Sequence, residues 1–480
     1  MQGVAAGRLV TAAVREREAA TPTATTSSPG GTIVTVGIGE ILIQLGLTPL
    51  TAVVPSVSAA LGVSSLDGAW LMTVYILALA GTLLVSGRLG DLLGHRKMFG
   101  AGAMVFAGAT LLAGLAPTFE ILLAARVGQG IGGAMISGNN LAILSRAVPS
   151  GGRARAIAIV ATASSFSAVI GSALGTLAVQ LGFWPLLFLG PLPLAIIAAI
   201  RARSLPGGER TRASVDWAGA GLLVATMTVL AFALNHPHTT TTEVVMPVFH
   251  VWLPLLAIAT ATAFVVIERR IKVPLLDWGQ LRNAQFGAAV GVNAVLHLTM
   301  MGAMFLGPLL VVQGLGMSII AGGALMVVVQ ASVTATAYLG GWLYDRTRSP
   351  LLRPGASGLL MLGLVAWAVA GWYESYVGLV LAGSLSGLGS GILLAVNNTI
   401  IMSVLPSSSR GVASGMLETT RHFGHAFGVT IPTAILAMVL AGFGGGEMTT
   451  EAIRWGFALG CLAMAGLAGA AVGLGLWQRA

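Results

Sequence analysis

The chain has 480 residues, of which 56% are hydrophobic and only 9% charged, and it carries a formal net charge of +9. So little charge excludes an ordinary soluble domain, which holds roughly 25% charged residues, and the apolar runs lack the alternation of a membrane β-barrel. Cys461 is the only cysteine, which excludes an intrachain disulfide and a cysteine metal cluster.

Residues 1–31 hold Arg8, Arg15 and Arg17 and the polar run "TPTATTSSPGGT" from Thr21. They lack an apolar core with a cleavage site, so they are not a secretory signal. Glu16 and Glu18 argue against a transit peptide. A flexible cytoplasmic tail is expected. Beyond it, apolar stretches fill residues 33–56, 68–87, 98–116, 119–146, 156–181, 184–201, 216–235, 251–268, 286–312, 319–343, 355–373, 377–404, 412–441 and 453–477. A helix of ~20 residues crosses a ~30 Å hydrocarbon core, so these predict fourteen transmembrane spans. All Lys and Arg except Arg126, Arg421 and Arg454 lie before the first span, after the last, or in every second gap between. That is the positive-inside pattern, and it places both termini in the cytoplasm. The segment "NHPHTTTTEVV" from Asn235 has no Lys or Arg and is expected outside. The basic excess is thus a topology signal, and no nucleic-acid partner is expected. The scarcity of Lys (two of 25 basic residues) suggests a GC-rich bacterial genome, hence the bacterial inner membrane.

The chain repeats itself. "GRLGD" from Gly87 and "GWLYD" from Gly341 are 254 residues apart, and "GGAMISGNNLAILS" from Gly132 resembles "SGILLAVNNTIIMS" from Ser390 at an offset of 258. Two repeats at nearly one offset predict related six-helix halves, 32–205 and 284–480, with two inserted helices in 206–283. Repeated halves around a midplane site are a signature of secondary transporters.

The run "GRLGDLLGHRK", Gly87 to Lys97, resembles the loop 2–3 signature G-x-L-x-D-x-x-G-x-R/K-R/K of the major facilitator superfamily. "RVGQGIGGA" from Arg126 resembles its R-x-x-Q-G-x-G-A motif. "VDWAGAGLL" from Val215, "ERRIKVPLLDWGQLRNAQF" from Glu268 and "RGVASGMLETTRHFGHAFG" from Arg410 are similar to sequences of the fourteen-helix drug:H+ antiporters. The resemblance spans residues 33 to 477. It implies an all-α major facilitator fold, efflux of a small molecule, and protons as the coupling ion. It assigns Gly87, Asp91, Gly94, Arg96 and Lys97, with Asp345 and Arg346 in the repeat, to a cytoplasmic gate. In the family Asp91 would hold a neighbouring helix N-terminus; a charged topology anchor is the other reading. Arg126 is tied by resemblance to proton coupling, or it snorkels to the interface. The chain also departs from that family. Gly46 stands where helix 1 usually carries an Asp, and "GSALGT" from Gly171 lacks the Pro of the helix 5 motif.

Two acids, Glu40 and Glu418, fall well inside spans. Glu40, Gln44, Thr48 and Thr51 share a helical face. A carboxylate out of water exchanges protons near neutral pH, so Glu40 replaces the absent Asp, or it is an ionised interfacial Glu. Glu418, Arg421, His422 and His425 share a face of span 13; they form a proton relay or a structural ion pair. Asn293, His297, Met300 and Met304 align on span 9 as a pliable solute cavity or as packing. Asn140 and Asn397, with their neighbours, either brace helices or touch solute. Trp70 and Tyr75 line the cavity, or Trp70 anchors at the interface.

These residues predict a proton-coupled exporter of an amphipathic small molecule or drug, working by alternating access. A uniporter, or a carrier of lipids or neutral metabolites, is the alternative, and a non-transporting sensor or scaffold a third. No G-x-x-x-x-G-K-S/T, H-E-x-x-H or G-x-S-x-G appears, so neither ATP hydrolysis nor enzymatic activity is expected. No cofactor or metal is expected, and the chain is read as a monomer.

Overall fold

The computed structural model describes residues 28–51, 53–149, 153–207, 216–234, 252–271, 278–405, 410–442 and 449–477. Most of the expected tail, the segment expected outside, Thr240 included, and several loop arginines lie outside the described residues.

The helices follow the apolar runs in order: α1 Pro29–Leu45, α2 Trp70–Leu93, α3 His95–Gly114, α4 Phe119–Ala147, α5 Arg153–Gln180, α6 Leu192–Arg201, α7 Trp217–Leu234, α8 Leu253–Glu268, α9 Ala284–Leu309, α10 Ile319–Thr347, α11 Leu352–Trp372, α12 Tyr376–Val404, α13 Arg410–Gly442 and α14 Thr450–Trp477. Among the described residues no strand occurs, and eleven helical stretches are long and apolar enough to cross a membrane. Three shorter apolar stretches, Phe166–Gln180, Trp217–Leu230 and Leu253–Glu268, coincide with expected spans 5, 7 and 8.

Local sequence sets the helix starts. The side chains of Ser28, Thr118, Asn283, Ser318 and Ser375 accept backbone N–H groups at the first turns of α1, α4, α9, α10 and α12, satisfying donors that have no intrahelical partner. Gly94, at φ 100°, makes the turn between α2 and α3, a backbone region closed to most L-residues. The expected span 33–56 is not one helix. α1 stops at Leu45 and a separate turn covers Thr48–Thr51. Pro49 explains the break, since its ring has no N–H and collides with the carbonyl four residues back, that of Leu45.

Helices α1–α6 pack mainly on one another, as do α9–α14. The groups meet along two seams, α5 against α10 and α2 against α13, and the α7–α8 pair packs on α2 and α13. Close approach rests on small residues, as expected where lipid offers no hydrophobic driving force. A Cβ on Gly132 would lie 2.8 Å from the Gly102 carbonyl oxygen. One on Gly424 would lie 2.5 Å from that of Ala294. Gly171 and Gly175 of the altered helix 5 motif keep this packing role: they leave room for Thr48 and Pro49. The next residue, Thr176, faces the seam, where Gly323 of α10 abuts it.

Candidate functional site: a charged junction between helix groups

Glu40 lies eleven residues into α1, about 16 Å along it at 1.5 Å per residue. Because α1 begins at Pro29 rather than at residue 33, Glu40 sits further from the start of its helix than the sequence suggested. Arg421 lies equally far into α13. The two meet: Arg421 Nη2 is 3.5 Å from Glu40 Oε2 and 2.6 Å from Glu418 Oε2. The Asn140 side-chain amide of α4 donates to Glu40 Oε1 at 2.7 Å. The side chains of Glu40, Arg421 and Glu418 are 8%, 18% and 27% exposed, so water is largely excluded. One guanidinium thus holds two carboxylates from different helix groups. The sequence placed Arg421 beside Glu418 alone and treated Glu40 as free of it; the fold corrects that separation.

Histidines continue the junction on the α13 side. His422 Nε2 is 3.8 Å from Glu418 Oε2 and forms no hydrogen bond. His422 and His425 have ring centroids 6.0 Å apart, and His425 Nε2 meets His297 Nδ1 of α9 at 3.1 Å. Asn293, one turn before His297, donates to the Leu417 carbonyl and to Thr420 Oγ1 at 3.0 and 2.9 Å. Glu418, His422, His425 and His297 therefore form a row of titratable side chains inside the second helix group. Thr420 was absent from the sequence reading, because nothing in the chain marks it as Asn293's acceptor.

Arg126 is fully buried but faces no carboxylate among its hydrogen-bond partners. Its Nε donates to the Leu71 carbonyl at 2.8 Å, and Nη1 donates to the Gly46 carbonyl at 2.6 Å and to Gln129 Oε1 at 2.7 Å. Its guanidinium lies 4.2 Å from the Tyr75 ring centre. The α1 break supplies one of these acceptors. The geometry is neither a snorkelling arginine nor an acid–base pair: it ties α4 to α2 and to the end of α1.

The other candidates have definite partners. Thr48 is buried, donates to the Gln44 carbonyl at 2.9 Å and packs on Gly171, so the stripe from Glu40 through Gln44 ends at the helix break; the Thr51 side chain lies outside what is described. Trp70 stacks on Phe232 of α7, ring centres 4.8 Å apart. Tyr75 is buried and its hydroxyl donates to the Ile43 carbonyl at 2.9 Å. Asn397 donates to the Ala289 carbonyl at 2.9 Å, joining α12 to α9 as Asn140 joins α4 to α1. Met300 and Met304 do line a cavity, with Gln330, Ser386 and Ser390, but its volume of about 10 Å³ suits one water rather than a solute.

At the Gly94 end, Gly87 approaches Gly138 of α4, whose carbonyl oxygen would lie 3.2 Å from a Cβ there. Asp91 Oδ1 is 3.2 Å from His95 Nε2 and Oδ2 is 3.9 Å from Arg88. His95 Nδ1 in turn meets Asn139 Oδ1 at 2.7 Å. Asp91 thus has partners within its own helix group, in addition to any helix N-terminus. Arg96 Nη1 donates to the Arg203 carbonyl at 3.5 Å, and Lys97 is exposed. In the repeat, Asp345 pairs with Arg348 at 3.5 Å, while Arg346 covers the Trp342 ring. Replacing Asp91 with Asn should lower transport about tenfold while moving the unfolding midpoint by only a few degrees, since half-exposed ion pairs contribute ~0–1 kcal/mol. Flux and thermal unfolding, measured on one preparation, check this; unchanged flux would remove Asp91 from the gate.

Two packed helix groups joined by a desolvated charged junction define a polytopic membrane transporter. The chain belongs to the Major Facilitator Superfamily, whose profile matches residues 36–429. It is 29% identical over 436 residues to the cephamycin export protein CmcT of Amycolatopsis lactamdurans, covering 86% of this chain and 85% of that one. It is 27% identical over 416 residues to the multidrug resistance protein Stp of Mycobacterium tuberculosis, covering 85% and 75%. A POT family transporter, solved in complex with a thioalcohol-conjugated peptide, shares the fold with a TM-score of 0.67 at 14% identity, over 94% of this chain and 95% of that one. The all-α major facilitator fold expected from the sequence is therefore the one observed, and the protein is a secondary transporter.

Proposed function

We propose that the protein exports an amphipathic small molecule from a bacterial cell across the inner membrane, driven by inward proton movement. The observation that carries this reading is Arg421 held between Glu40 and Glu418. With both acids ionised, the guanidinium links α1 to α13. A proton bound to Glu40 removes one of its two charge partners, weakens the link and frees the groups to rock about the seams. Deprotonation toward the opposite side restores it. His422 is positioned to pass the proton to or from Glu418. Residues 32–205 and 284–480 act as the two halves, 206–283 as an inserted pair, and all fourteen helices as spans, with both ends of the chain cytoplasmic. CmcT, a cephamycin export protein, and Stp, a multidrug resistance protein, support a drug-like cargo, and no chemical conversion of it is proposed.

One observation favours the alternative, a uniporter. A Cβ on Gly46 would lie 3.0 Å from the Tyr75 hydroxyl, so the helix 1 acid of the drug:H+ family has little room here. Proteoliposomes separate the readings. With cephamycin and amphipathic dyes as probes, an imposed pH gradient should accelerate flux at least fivefold, and a protonophore should abolish the acceleration. Gradient-independent flux would establish uniport, and absence of flux for the whole panel would refute export of this class.

A further inference from the structure

We infer that the groove between α3 and α6 is a binding site for one anionic glycerophospholipid of the leaflet at the Gly94 end. The groove has a volume of about 590 Å³. Arg96 and Lys97 at the start of α3 and Arg203, just beyond α6, line one end of it. Met104, Ile196 and Ile200 line the rest, and these three are 63%, 47% and 60% exposed. Among the described residues no carboxylate lines it.

The proportions match one lipid. From Lys97 to Ala107, both lining residues, α3 rises about 15 Å at 1.5 Å per residue, which is half of a ~30 Å hydrocarbon core. The basic end therefore lies at headgroup level, and the apolar trough reaches as far as one leaflet's acyl chains. An apolar surface open to the bilayer needs no special occupant by itself. The three cations at its mouth do: Arg96 and Lys97 lie on the same turn, Arg96 reaches the Arg203 backbone, and all three line the same groove. Basic pockets between transmembrane helices select phosphate headgroups in this way. A second copy of the chain is a poor occupant, because it would present the same positive residues to this mouth.

The site is independent of which solute is exported and of proton coupling. Its location nonetheless links it to the gate motif, since Arg96 and Lys97 follow His95, the partner of Asp91. Leaflet charge would then act on the gate through the start of α3.

Native mass spectrometry of the full chain, titrated with phosphatidylglycerol, phosphatidylcholine or inorganic phosphate, tests the site. Phosphatidylglycerol should be retained in preference to phosphatidylcholine. A basic residue near the headgroup is worth ~1 kcal/mol, roughly fivefold, so R96Q/R203Q should weaken phosphatidylglycerol binding about twenty-five-fold and leave phosphatidylcholine unchanged. Ala101→Trp, which fills the trough and keeps every charge, should also weaken it. Arg348→Gln, at an exposed arginine on the same end, should not. Undiminished phosphatidylglycerol binding in R96Q/R203Q would overturn the proposal. So would insensitivity to Ala101→Trp, which would mean diffuse surface charge, or full competition by inorganic phosphate, which would mean a free-anion site. Dimer formation abolished by Ala101→Trp would assign the groove to a second copy instead.

Discussion

Replacing Glu40 with Gln is expected to abolish pH-gradient-driven flux, a loss of at least tenfold, while solute binding and gradient-independent exchange persist. Gln keeps an oxygen for the Asn140 amide, which donates to Glu40 at 2.7 Å, but it cannot alternate between charged and neutral forms. Arg421 retains Glu418 at 2.6 Å, so the single variant leaves no unpaired buried charge and should fold. Glu418→Gln leaves Arg421 with Glu40 at the longer 3.5 Å and should impair coupling less completely. The double variant is a different experiment. It strands Arg421 among neutral groups, and removing the partners of a buried charge costs about 3–5 kcal/mol. Loss of flux in the double variant alone would therefore report on stability. Gradient-driven flux that survives in Glu40→Gln and in Glu418→Gln would reject carboxylate coupling at this junction.

Arg126→Lys should lower the stability of the protein by about 3–6 kcal/mol, the loss of two charge-assisted hydrogen bonds at roughly 1.5–3 kcal/mol each. The guanidinium serves three acceptors on α2, α4 and the end of α1, with its face against Tyr75. A lysine carries the charge but not the planar fork, and one ammonium cannot span all three. A normal unfolding midpoint in detergent, with gradient coupling alone lost, would return Arg126 to the proton-handling role that its motif suggests.

The fold was legible because lipid leaves a coarse record. Runs of apolar residues mark the helices, and arginines mark one side. The boundaries were less legible for a physical reason. Hydropathy ends at the first charge, but the helix does not: α2 continues past Arg88 to Leu93, and α3 begins at His95 rather than at residue 98. Glu40 and Glu418 stand out in sequence as acids inside apolar runs, and the fold brings both to one arginine. That Arg421 reaches Glu40 could not be read, because the two lie 381 residues apart and only the packing of helix groups joins them. The stripe through Thr48 was extended across Pro49, where α1 has already ended at Leu45. For Trp70 the sequence offered a cavity wall or an interfacial anchor, and nothing local shows that Phe232, on an inserted helix, packs against it.

The repeats do not carry the charged junction twice. Counting 254 or 258 residues onward from Glu40 reaches Ala294 or Leu298, and counting back from Arg421 reaches Ser167 or Ala163. A chain made of the first repeat in duplicate would lack Arg421, and one made of the second would keep the Glu418–Arg421 pair but lack Glu40, so neither would join the helix groups through this pair. The link between the groups therefore rests on residues that differ between the two repeats. On the proposed coupling, a chain built symmetrically from either repeat should carry solute without using a proton gradient.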